Sequence, residues 1–94
     1  MDKKLRILIL EDVPADAELA ERELRRGEIA FLSIRVDTKN AFLKELEDFE
    51  PDLILGDYKL PSFDGLSALG IVQEKRPEVP FIFVSGSIGE ELAI

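Results

Sequence analysis

Leu5-Arg6-Ile7-Leu8-Ile9-Leu10-Glu11-Asp12 is the stretch whose reading decides the fold. Its apolar run is that of a strand buried on both faces, and it ends abruptly on two acids. Pro14 follows at once and suits the first turn of a helix, where its missing N–H would be unpaired anyway. Val13, Ala17, Ala20 and Leu24 then recur at helical spacing as one apolar stripe, and Gly27 stops the helix. A buried strand, an acidic turn and an amphipathic helix thus form one unit.

The unit repeats. Phe31–Val36 alternates as a half-buried strand, Asp37 or Thr38 can cap the next helix, and Phe42, Leu46 and Phe49 form that helix's inner face. Pro51 closes it. Asp52-Leu53-Ile54-Leu55-Gly56-Asp57 is a third strand, again ending in an acid. After a loop containing Pro61, Asp64-Gly65 opens a third helix with Leu66, Leu69 and Val72 predicted to face inward. Gly70 costs that helix about 1 kcal/mol against Ala without forbidding it. Pro77 and Pro80 bracket the turn into a fourth strand, Phe81-Ile82-Phe83-Val84-Ser85, and residues 90–94 read as the opening of a further helix. Such alternation gives an α/β doubly wound parallel sheet with right-handed crossovers, and 94 residues make one domain, residues 1–94.

Composition excludes much chemistry. With 12 Lys+Arg against 20 Asp+Glu, the net charge of −8 repels phosphate backbones and anionic lipid, so direct nucleic-acid or membrane binding is not expected. The chain has neither Cys nor His, which removes disulfides, thiolate catalysis, Ser-His-Asp catalysis and His-ligated metals. Its N-terminal apolar run is too short for a membrane span or a signal-peptide core, and the expected location is cytoplasmic.

Parallel sheets bind ligands beyond the carboxyl ends of their strands, where the strand order reverses. If strands one and three are neighbours there, Glu11, Asp12 and Asp57 converge in one pocket, with Ser85 beside them. Carboxylates so close repel one another and raise at least one pKa, a conflict that a hard cation such as Mg²⁺ removes. An Asp beside such an ion can attack a phosphoryl donor and form an acyl phosphate. Each residue alone has a plainer reading: Glu11-Asp12 as a helix cap, Asp57 and Ser85 as turn formers, and Asp64-Gly65 as turn and N-cap. Their coincidence at three strand ends favours the site.

Three segments carry a family resemblance: Glu11-Asp12; Asp57-Tyr58-Lys59-Leu60-Pro61 with Asp64-Gly65; and Val84-Ser85-Gly86. Together they resemble the response-regulator receiver domain of bacterial two-component signalling. The resemblance implies a flavodoxin-like fold with strand order 2-1-3-4 and Asp57 as phospho-acceptor. It further implies Mg²⁺ held by Asp12, Asp57 and the Lys59 backbone carbonyl, with Glu11 acting through water and Ser85 as a switch hydroxyl. A histidine kinase or phosphotransfer protein is the implied donor, and the chain is an acceptor, not an enzyme. The family's fifth strand, with its lysine, and its last helix would lie beyond residue 94, so the chain reads as a truncated receiver. That leaves strand four as an exposed edge and predicts a homo-oligomer through it. The alternative is an inert fragment that keeps the fold and oligomerises without signalling.

A nucleotide or flavin binder would need a Gly- or Ser/Thr-rich loop after the first strand, where this chain has Glu-Asp-Val-Pro. An Asp-nucleophile phosphohydrolase commonly carries a second Asp two residues after the first, and position 59 is Lys.

Overall fold

The computed structural model describes residues 4–57 and 63–84, and the backbone of 92–93. Its elements run β1 (Leu5–Leu10), α1 (Pro14–Arg26), β2 (Phe31–Val36), α2 (Lys39–Asp48), β3 (Leu53–Asp57), α3 (Gly65–Lys75), β4 (Phe81–Val84) and β5 (Leu92–Ala93). The sheet order is β2-β1-β3-β4-β5. The first four strands are parallel in the expected order 2-1-3-4.

Strand parity sorts the core into two layers, because successive side chains point to opposite faces. Leu8, Leu10, Val36 and Ile54 pack with Phe42 and Leu46 of α2, Phe63, and Ala68 and Val72 of α3. On the other face Ile7, Ile9 and Leu55 pack with Ala17 of α1. Thr38 caps α2 by accepting from the Ala41 N–H, and Asp64 caps α3 by accepting from the Ser67 N–H at 2.7 Å.

Three expectations need correction. Residues 92 and 93 are a strand antiparallel to β4, not part of a helix: Ala93 pairs with Phe83 and Leu92 with Val84. The physical reason is that an edge strand presents main-chain groups that pairing satisfies, so β4 is not a fully open edge. Leu66 is 58% exposed and Ala68 is buried in its place, since Gly65, Ala68 and Val72 form the inner line of α3. Val13 is the N-cap of α1 and is exposed, outside the apolar stripe, which Ala17, Ala20 and Leu24 carry. Gly27 ends α1 as expected, as its C-cap, and the residue after it, Glu28, takes the left-handed conformation (φ 59°).

Candidate functional site

The register of the two central strands builds the site. Ile7 to Leu10 of β1 pair with Leu53 to Gly56 of β3, so Glu11 and Asp57, one step further along each chain, emerge side by side at the carboxyl end. Asp57 is the last residue of β3 and is held on its other side by Val84 of β4. Glu11, Asp12 and Asp57 each offer a carboxylate oxygen, all within 4.8 Å of one another. Glu11 and Asp57 are buried, at 6% and 8% exposure, and Asp12 is half-buried. Lys59 and Ser85, the other predicted site residues, lie outside the described residues, as does Tyr58.

Glu11 is fixed at several atoms. Its N–H donates to the Val36 carbonyl at 2.9 Å, and its Oε2 accepts from the Val13 N–H at 3.0 Å. Its own carbonyl accepts from the Arg35 guanidinium at 2.9 Å. Burial pushes the Glu11 carboxyl up to about 7. The Val13 N–H opposes that rise, while the charge of Asp57, the Asp12 side chain and the charge of Asp16 add to it. Packed against the end of β3, Gly65 leaves no room for a side chain: a Cβ there would stand 2.9 Å from the Asp57 carbonyl oxygen and 2.6 Å from the Phe83 ring.

This donor set fits a hard divalent cation. It is all oxygen and partly buried, and its three carboxylates come within 4.8 Å of one another, close enough to share one small ion. The Glu11 carboxyl is raised by burial first and by the neighbouring acids second, and a cation among them would favour its ionised form. Sequence reasoning found the three acids, but it passed over Arg35 and the contact role of Gly65. Arg35 carried a readable signal, as the one charged residue within Phe31–Val36.

The model for the response regulator receiver domain matches residues 7–94 of this chain. The DNA-binding transcriptional regulator NtrC of Proteus hauseri is 28% identical over 92 residues, covering 98% of this chain and 19% of that protein. The chain spans at most a quarter of the length of the curated relatives it matches. Among solved structures, a response regulator from Hahella chejuensis is 26% identical with a TM-score of 0.76, covering 93% of this chain and 67% of that one. The receiver domain of sensor histidine kinase PA1611 from Pseudomonas aeruginosa PAO1 is 27% identical with a TM-score of 0.72, covering 87% and 67%. That neighbour has a magnesium ion coordinated in its active-site cleft.

Proposed function

The chain belongs to the response regulator receiver domain family, and on that premise we propose that Asp57 accepts a phosphoryl group from a phosphohistidine of a histidine kinase or phosphotransfer protein. The observation that carries this reading is the convergence of Glu11, Asp12 and Asp57 at the carboxyl ends of the two central strands. An Asp57 carboxylate oxygen attacks phosphorus in line, forming the acyl phosphate. The P–N bond breaks, and its electron pair stays on the imidazole nitrogen, which takes up a proton.

Asp12 and Asp57 would hold Mg²⁺ directly together with the Lys59 backbone carbonyl, and Glu11 would reach it through water. When bound, the ion supplies positive charge against the carboxylates and the transferred oxygens. The Ser85 hydroxyl is assigned as the switch group that contacts the phosphoryl oxygens. The domain is a stoichiometric acceptor, not a turnover enzyme, and its place of action is the cytoplasm. No helix among the described residues is long and apolar enough to cross a membrane. The net charge of −8 further favours a protein partner over nucleic acid.

Intact mass after incubation with acetyl phosphate and Mg²⁺ tests this reading. One added phosphate is expected in the wild type and none in Asp57→Asn. A folded wild type that gains no phosphate would favour an inert fold instead. A gain that survives in Asp57→Asn would reject the acceptor assignment.

Self-association is a further part of the proposal. Among the described residues β5 pairs with β4 only at Phe83 and Val84, and all four β4 side chains are half-buried. Light scattering across a dilution series should show a concentration-dependent dimer of the 94-residue chain. A monomer at every concentration counts against it.

A further inference from the structure

We infer that Arg35 is a positioning residue for the acidic site: by donating to the Glu11 carbonyl it fixes the peptide from which Asp12 hangs. The inference rests on the metal-binding reading above.

Its basis is the point at which the β1–β2 ladder ends. Leu10 opposite Val36 is the last pair in register, and the Glu11 N–H extends the ladder by one bond to the Val36 carbonyl. The chain of β2 then turns into α2, whose cap is Thr38, so β2 contributes no further strand residue. The Arg35 guanidinium takes over: its Nη1 donates to the Glu11 carbonyl at 2.9 Å and lies 3.8 Å from the Asp37 carboxylate. Arg35 therefore reaches across the strand end, and its side chain is only about a third exposed (35%).

Glu11 is thereby held at its N–H by Val36, at its carbonyl by Arg35 and at its carboxylate by the Val13 N–H. The Glu11 carbonyl and the Asp12 N–H belong to one planar peptide group. Fixing the first fixes the direction in which Asp12 leaves the strand. A cation-binding cluster is sensitive to such orientation, because partners that orient the ligands contribute heavily to affinity.

Electrostatics alone predicts the opposite sign. A guanidinium near a cation site repels the second cation, so removing it would tighten metal binding. Orientation predicts weaker binding. The sign of the change therefore separates the two.

The test uses Mn²⁺ as probe, titrated calorimetrically into wild type, Arg35→Met and Arg35→Lys, each first checked for folding by circular dichroism. The second readout is the Asp12 amide ¹⁵N shift in metal-free protein, which senses the hydrogen bond on the Glu11 carbonyl directly. Arg35→Met should weaken Mn²⁺ binding by about tenfold and move the Asp12 shift. Arg35→Lys, which keeps a donor, should recover much of both and stands in if the Met variant does not fold. Unchanged or tighter binding in Arg35→Met, or an unmoved Asp12 shift, overturns the inference. A wild type that binds no Mn²⁺ instead removes the metal-site reading, and the shift still reports whether Arg35 orders the peptide.

Discussion

The two ends of the central strands both carry acids, and they treat them in opposite ways. At the amino end Glu50 and Asp52 stand beside Arg6: the Arg6 guanidinium lies 4.0 Å from Glu50, and the Arg6 N–H donates to the Asp52 carboxylate at 2.9 Å. These groups are exposed, so water screens what the partners do not neutralise. At the carboxyl end Glu11 and Asp57 are buried beside Asp12, and the guanidinium of Arg35 donates to a main-chain carbonyl there. The amino end is a settled surface. The carboxyl end keeps its acids close together and largely out of water, and that asymmetry sets it apart as the candidate cation site.

The largest effect expected from this contrast is a pH dependence of stability set by Glu11. Its folded-state pKa is raised from 4.5 to about 7. The associated stability is therefore fully present below pH ~4.5 and is lost as pH rises through about 7. Above that range the ionised group costs the metal-free protein up to about 3 kcal/mol. Urea unfolding at pH 8 without metal should find Glu11→Gln more stable than wild type, with the difference vanishing near pH 4. Saturating Mg²⁺ should shrink or reverse the gap by stabilising the wild type. Equal stability of the two proteins at pH 8 would erase the contrast between the ends.

A smaller effect concerns how the carboxyl end is shaped. A Cβ at Gly65 would meet the Asp57 carbonyl, which is backbone and cannot swing aside. One at Gly56 would meet only the ring of Phe81, at 2.7 Å. Gly65→Ala should cost about 1–3 kcal/mol and also weaken Mg²⁺ binding, because the clash bears on Asp57 itself. If thermal unfolding and calorimetry both match wild type, α3 is not seated against the site as described.

The smallest effect belongs to the amino end. Asp52→Ala removes an exposed hydrogen bond and should cost about 0.5–1 kcal/mol, nearly independent of Mg²⁺. A metal-dependent change there would mean that the two ends are coupled, against the division drawn above.

How much of this was legible in the sequence follows from which physical signals are local. The alternation of apolar runs and amphipathic stretches named β1 to β4 and α1 to α3, because burial on one or two faces writes its own period. The meeting of Glu11 and Asp12 with Asp57 followed only once β1 and β3 were made neighbours, since strand order is not a local property. Leu66 misled because it fits an inward spacing with Leu69 and Val72. Close packing of Gly65 against Phe83 and the Asp57 carbonyl instead turns Gly65, Ala68 and Val72 inward. Pairing of Leu92 and Ala93 with β4 overrode the helical look of residues 90–94. Arg35 stood out as the one charge in its strand, but its role did not. Its partner is a carbonyl 24 residues away, and no side-chain pattern marks a carbonyl.

The most direct test of the central claim is a calorimetric Mg²⁺ titration of wild type and Asp12→Ala, run at pH 8 and again at pH 5. Saturable binding in the millimolar range or tighter is expected at pH 8, weakened at pH 5, below the raised Glu11 pKa of about 7, and abolished in Asp12→Ala. Equal binding by wild type and Asp12→Ala at pH 8 would contradict that claim.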